Sequence, residues 1–243
     1  MAYQATFKRY EIKYLLTPQQ KGVILLAMKP YMKLDSYGRT TIRNVYYDTD
    51  TYRLIRRSLE KPAYKEKLRI RSYQTAAPDD PVFVELKKKY KSVVYKRRLT
   101  LPEIQVRESF QNGSPLPVRS QIADEIEYFR SYYEGLRPTV FLSYEREAFY
   151  ALDGSDFRVT FDENILYREE DLSLGSETYG TPLLEKGQTL MEIKTAGGLP
   201  LWMSRELNQL RVFRTSFSKY GLAYRRMMIR PAMEDSRRSC HVC

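Results

Sequence analysis

The stretch YKEKLRIRSY, residues 64–73, puts Lys65, Lys67, Arg69 and Arg71 at every second position. In a β-strand alternate side chains share a face and stand roughly 6.6 Å apart along it. This segment, if extended, therefore lines up four cations on one side. Like charges in a row weaken a fold unless something counters them. The same alternation recurs along the chain. In KRYEIKYLL, Arg9, Glu11 and Lys13 share one face, and Tyr10, Ile12 and Tyr14 the other. Glu85, Lys87 and Lys89 oppose Val84 and Leu86, and Tyr144 lies with Arg146. Arg158, Thr160 and Asp162 oppose Phe157, Val159 and Phe161, while Glu192 and Lys194 oppose Met191 and Ile193.

An antiparallel sheet with one face in water commonly alternates this way, and strand by strand that is the plain reading. A solvated face, however, mixes Ser, Thr, Gln and both charge signs, whereas Lys and Arg dominate here. Four other segments carry a helical period. TPQQKGVILLAM offers Thr17 as N-cap, Pro18 at the first helical position and Gln20 to complete a capping box. SQIADEIEYFRSYY aligns Ile122, Ile126, Phe129 and Tyr133; PLWMSRELNQLRVF aligns Leu207, Leu210 and Phe213; SFSKYGLAYRRMM carries Tyr220, Ala223, Tyr224 and Met227. Amphipathic helices need an apolar surface to cover. The apolar strand faces supply it, so the cationic faces turn toward one another if the sheet curls into a barrel. AAPDDP (76–81) reads as a turn between strands, QNGSPLP (111–117) as a longer connection, and LDGSD (152–156) as a hairpin. The expected fold class is α+β, an antiparallel β-barrel flanked by amphipathic helices. It is one domain over residues 1–234, with a flexible tail over 235–243.

A cation-lined interior calls for a polyanion, and the formal net charge of +11 agrees. Linked phosphates are the natural counterion, gripped by Arg forks and Lys point charges. Glu11 and Glu192 repel a polyanion; they make sense as partners of neighbouring lysines or of a hard divalent cation bridging phosphate oxygens. The 21 tyrosines could stack on bases, but many sit in strand patterns where packing is their ordinary role. The chain shows no nucleic-acid module, so no nucleic-acid partner is expected. Both cysteines, Cys240 and Cys243, flank the one histidine, His241, in a polar tail, where a frayed terminus is expected over a metal site. No disulfide can staple the body, and no histidine is left there for a triad or a His-rich metal centre. The sequence has no apolar run of transmembrane length and no signal-like start, which makes a cytoplasmic protein the expectation.

RYEIKYLL, YYDT, EKLRIRSY, VELK, YEREAF, FRVTFDENI, MEIKT and SFSKY occur in an order that resembles the VTC-type polyphosphate polymerase domain of the triphosphate tunnel metalloenzyme, or CYTH-like, superfamily. The resemblance runs from about residue 6 to 228. It implies a barrel that forms a basic tunnel for triphosphate or polyphosphate, with manganese or magnesium. The implied reaction is transfer of the ATP γ-phosphoryl group onto a growing polyphosphate chain; other members of the superfamily hydrolyse triphosphates or cyclise ATP. By matching motif, Lys13, Arg69, Arg71 and Lys219 are implied as catalytic, and Lys87, Arg146 and Arg158 as phosphate-binding. Glu192 is implied as the metal ligand. Alternation adds Lys65, Lys67 and Lys194 as further wall cations. The wider superfamily signature is Glu-x-Glu-x-Lys, and Arg9 stands where its first Glu would be. That removes a metal ligand and leans away from two-metal hydrolysis. A triphosphatase and a non-catalytic phosphate sensor remain the alternatives.

Overall fold

The computed structural model describes residues 10–91 and 93–239, with side chains through residue 229. Arg9 and the cysteine–histidine tail lie outside these residues. In chain order the elements are β1 (Tyr10–Leu16), α1 (Pro18–Met28), β2 (Met32–Leu34), β3 (Thr40–Asp48), α2 (Arg53–Leu59), β4 (Tyr64–Ser72), β5 (Pro81–Tyr90), β6 (Val93–Pro102), α3 (Glu103–Asn112), α4 (Gln121–Tyr132), β7 (Arg137–Ala151), β8 (Arg158–Arg168), β9 (Thr181–Pro182), β10 (Thr189–Thr195), α5 (Leu201–Gln209), β11 (Arg214–Thr215) and α6 (Lys219–Ser239). The strands form one antiparallel sheet in the order β11-β1-β10-β8-β7-β3-β4-β5-β6, with β2 added to β7 and β9 to β8. The first strand pairs with one of the last, from Tyr10↔Thr195 to Leu16↔Thr189. Among the described residues no ladder joins β6 to β1 or β11, so the sheet curls without hydrogen-bonded closure. Its far limbs meet instead through side chains: Glu11 on β1 lies 3.6 Å from Lys87 on β5.

The apolar alternates lie on the outer face and are covered by helices. Val45, Tyr47, Leu68, Ile70, Val84 and Leu86 pack under α3 and α4, against Val106, Ile126 and Phe129. Tyr14, Val159, Phe161, Met191 and Ile193 pack under α1 and α5, against Ile24, Met28, Met203 and Leu207. Each such side chain taken fully out of water contributes about 1.5–3 kcal/mol, which offsets the cost of facing charges inward. A third cluster lies on the charged side. Tyr220, Ala223 and Met227 of α6 fill one end of the cavity, against Ile42, Tyr46, Val140, Leu142 and Tyr144.

The capping box at α1 forms: Gln20 N donates to Thr17 Oγ1 (3.2 Å) and Thr17 N to Gln20 Oε1 (2.9 Å). The stripe expected through Phe213 fails at its last member, which is 79% exposed. Helix α5 ends at Gln209, and Arg211 takes a left-handed φ of 51°, turning the chain off the helical period. Helices α2 and α3 escape the periodicity reading because they are short; α3 takes Gln111 and Asn112 from the expected connection. Asp48 starts α2. Its Oδ1 accepts Leu54 N at 2.8 Å, and its Oδ2 accepts Ile55 N at 2.9 Å and the Tyr220 hydroxyl at 2.9 Å. One buried carboxylate thus ties β3, α2 and α6 together. No helix among the described residues is long and apolar enough to cross a membrane.

Candidate active site

The inward faces bring the expected cations into one cavity. On β4 and β5, Arg69 sits opposite Glu85, Lys67 opposite Lys87, and Lys65 opposite Lys89. On β6, Arg98 sits opposite Glu85 and Lys96 opposite Lys87. Across the cavity stand Lys13 on β1, Glu192 and Lys194 on β10, Arg158 and Asp162 on β8, and Arg146 on β7. Lys219 reaches in from the first turn of α6.

Two buried acids organise five of these cations. Glu85 is 1% exposed and accepts Arg69 Nε at 2.8 Å and Arg98 Nε at 2.7 Å, with Lys96 Nζ at 2.7 Å. Burial pushes its carboxyl up, but Arg69, Arg71 and Lys96 outweigh that and hold it far below the usual range. Asp162 is fully buried and takes a two-pronged grip from Arg146, Nε to Oδ1 at 2.6 Å and Nη2 to Oδ2 at 2.7 Å. Lys219 Nζ donates to Asp162 Oδ2 at 2.5 Å. Here too burial opposes ionisation, and Lys219 and Arg146 lower the carboxyl. Removing either acid leaves several partly buried cations facing one another without a counter-charge.

The paired arginines of β4 are also held by neutral groups. Arg71 donates from Nε to Asn44 Oδ1 (2.9 Å) and from Nη2 to the Tyr144 hydroxyl (3.1 Å), and its nearest carboxylate, Glu85, is 4.0 Å away. Arg69 Nη1 donates to the Tyr46 hydroxyl at 2.9 Å. Burial would raise the Tyr46 phenol, yet Arg69, Lys67 and Arg71 bring it down to about 8. Lys67 is lowered to about 8, first by burial and then by Lys65, Lys87 and Lys13. Its only hydrogen bond among the described residues is a 3.4 Å contact to Ser218 Oγ. Lys65 donates to the Ser58 carbonyl (3.3 Å), and its ammonium is depressed first by burial and then by Lys89 and Lys87.

Lys13 Nζ lies 3.1 Å from Glu11 Oε1 and 3.5 Å from Glu192 Oε2, so two carboxylates converge on one cation position. Lys194 Nζ adds a 2.8 Å contact to Glu192. Burial favours a protonated Glu192, but Lys194 and Lys13, then Arg146 and Lys219, hold it well below its ordinary value. Arg158 lies over the Tyr150 ring at 4.4 Å, and its buried Nε and the neighbouring Thr160 hydroxyl have no partner among the described residues. Among the described residues no group of three or more acidic, histidine or cysteine side chains is arranged so that it could hold a metal ion. A metal here would rest on Glu192 and Glu11 plus ligand oxygens, the pattern magnesium favours.

Sequence reasoning missed Glu85 and Asp162 as organisers, together with Lys96, Arg98, Asn44 and Tyr46. Lys96 and Arg98 were open to discovery, because VVYKRRLTL places them on alternate positions of one more strand. Alternation puts both acids on the inward face but gives neither their depth nor their partners.

The profile of one family, described as the VTC domain, matches residues 8–228. No curated protein sequence matches the chain. Among solved structures, the fold is similar to a candidate adenylate cyclase from Bacillus halodurans, with TM-score 0.55, 13% identity, and coverage of 88% of this chain and 96% of that one. A candidate adenylate cyclase from Vibrio parahaemolyticus gives TM-score 0.51 at 12% identity, covering 91% and 99%. A candidate adenylyl cyclase from Hippeastrum, described as having a dominant triphosphatase activity, gives 0.51 at 16%, covering 87% and 93%. At these identities the likeness is one of fold.

Proposed function

The chain belongs to the VTC domain family, and on that footing we propose that it is a polyphosphate polymerase. It transfers the γ-phosphoryl group of ATP onto the terminal phosphate oxygen of a growing polyphosphate chain held in the cavity, and ADP leaves. The observation that carries this reading is the excess of cations over what one triphosphate needs. Arg69, Arg71, Arg98, Arg146 and Lys219 cluster around Glu85 and Asp162, and a further row, Lys65, Lys67 and Lys89, pairs with no carboxylate among the described residues. A bound polyanion longer than a triphosphate supplies those missing charges.

Phosphoryl transfer rests on positioning and charge neutralisation more than on covalent chemistry. Arg71, fixed by Asn44 and Tyr144, presents a guanidinium whose charge is largely free for phosphate oxygens. Arg69 and Arg146 are oriented by Glu85 and Asp162 and grip in the same way, with Lys87 and Arg158 along the chain. Lys13 and Lys219 neutralise charge near the reacting phosphates. The acceptor is a phosphate oxygen, already anionic, so a site without histidine needs no strong base. Glu192, with Glu11, would hold a manganese or magnesium ion jointly with the phosphates. When bound, such an ion supplies neutralisation of β- and γ-oxygen charge.

Purified protein incubated with ATP and manganese is expected to give long anionic chains on a gel. Arg71→Ala and Glu192→Ala should lower the yield by roughly a hundredfold or more, the scale of losing a charge-stabilising group. Orthophosphate without chains would replace this reading with a triphosphatase. Tight triphosphate binding without turnover would replace it with a sensor. Product undiminished in both variants would overturn the residue assignments.

A further inference from the structure

The backs of the strands carry a polar pair that the cavity does not use. Arg43 on β3 shares the outer face with Val45 and Tyr47, which belong to the core under α3 and α4. Ser143 on β7 stands directly opposite it in the ladder and shares its face with Phe141 of that core. Arg43 is 8% exposed and Ser143 2% exposed. The Arg43 Nε and the Ser143 Oγ are both buried without a hydrogen-bond partner among the described residues. Arg43 makes no ion pair with them either. The Glu177 carboxylate acts on it by charge alone, while burial depresses the guanidinium. Ser72, opposite Arg43 on its other side, spends its hydroxyl on the Gln74 carbonyl. A charged Nε buried without a partner carries a desolvation cost.

A neighbouring arginine shows what a satisfied site on this face looks like. Arg168 stacks 3.6 Å over Phe141 and donates to the carbonyls of Glu170, Asp171, Glu177 and Tyr179, which holds the loop of residues 169–180 in place. The same loop is tied to the body where Ala76 N donates to the Leu174 carbonyl at 3.0 Å. At its end Gly180, with φ +144°, approaches Tyr167 O so closely that a Cβ would stand 2.4 Å from it. The loop therefore fixes Glu177 near Arg43 without letting the backbone satisfy it.

We propose that Arg43 and Ser143 form a second anion site, on the outer face, for a small tetrahedral oxyanion of the orthophosphate class. Directly opposite side chains on one face have Cβ atoms about 4.5–5.5 Å apart, so a single small anion can accept from both. The fork of Arg suits an oxyanion, the hydroxyl adds a donor, and the slight exposure excludes a bulky ligand. The chain neighbours of this pair, Asn44 and Tyr144, point the opposite way and both hold Arg71 in the cavity. The outer site is thus back to back with the cavity and does not depend on what the cavity does.

The test is equilibrium binding of radiolabelled orthophosphate, with sulfate and acetate as competitors. Wild type should show two classes of site. Arg43→Met should weaken one class by at least about tenfold, as for loss of a charge-assisted hydrogen bond, and Ser143→Ala should weaken it less. Arg71→Met should leave that class in place. Glu177→Gln should tighten it a few-fold by removing a competing charge, and sulfate should displace the label better than acetate. Should Arg43→Met fail to fold, Ser143→Ala and Glu177→Gln still decide. Identical isotherms for wild type and the Arg43 or Ser143 variant, or weaker binding in Glu177→Gln, would overturn the proposal.

Discussion

Two rows of side chains, two residues apart on the same strands, follow opposite electrostatic plans. In one, Arg69, Glu85 and Arg98 stand side by side across β4, β5 and β6, and the acid sits between its partners. In the next, Lys67, Lys87 and Lys96 stand side by side with no acid among them. Lys87 borrows Glu11 from across the cavity at 3.6 Å, Lys96 leans back to Glu85 at 2.7 Å, and Lys67 is left with a hydroxyl. Like charges directly opposite destabilise a sheet. The first row is therefore neutralised within the protein, while the second leaves the Lys67 charge to be offset by a ligand on the reading proposed above.

That contrast can be broken most directly at Glu85. Glu85→Gln removes the acid from four nearby cations, Arg69, Arg71, Lys96 and Arg98. It should cost about 3–5 kcal/mol of stability in urea denaturation, partly recovered by saturating tripolyphosphate; an unchanged midpoint would show that the first row does not rely on its acid. Lys67→Met should act in the reverse sense. It should stabilise the unliganded protein by on the order of 1–3 kcal/mol while weakening tripolyphosphate at least about tenfold. Loss of stability in that variant would erase the distinction between the rows.

A pH titration sharpens the same point. Lys67 and Tyr46 are both lowered to about 8 in the folded state, below the ordinary 10.5 and 10.0. Between those values the unfolded chain binds more protons than the folded one, so stability of the unliganded protein rises with pH from about 8 toward 10. Each group adds at most ~1.4 kcal/mol per pH unit. On the proposed role of Lys67 as a phosphate-binding cation, tripolyphosphate binding should fall over the same window. Parallel curves for stability and binding would contradict this account. The smallest effect is expected at Lys65, where Lys65→Met should weaken binding only a few-fold by calorimetry, since its ammonium already has a partner in the Ser58 carbonyl.

The period-2 pattern made the inward face and its cations legible, because a strand's alternation is set by backbone geometry alone. So was α1, whose cap is a local pattern of Thr17, Pro18 and Gln20. The pairing of Glu85 with four cations was not legible. It depends on which strands become neighbours and how deeply the face is enclosed, and both are set by contacts between distant residues. Asn44 and Tyr46 were hidden for the same reason, and Arg43 more so: alternation puts it on a face otherwise apolar, where an arginine reads as a stray surface charge.

The ladder of β1 with β10, Tyr10↔Thr195 to Leu16↔Thr189, has a consequence for how the chain is made. Strand β1 waits for a partner far along the chain, whereas β4, β5 and β6 pair with near neighbours and can form early. Contacts of such sequence separation are slow to form, and domains assemble from the N-terminus during synthesis. The lysine-rich pairs β4–β5 and β5–β6 can thus form while β1 still lacks its β10 partner. Docking of β1 onto β10, rather than pairing within β4, β5 and β6, becomes the late step of folding, which pulse-labelled hydrogen exchange should resolve.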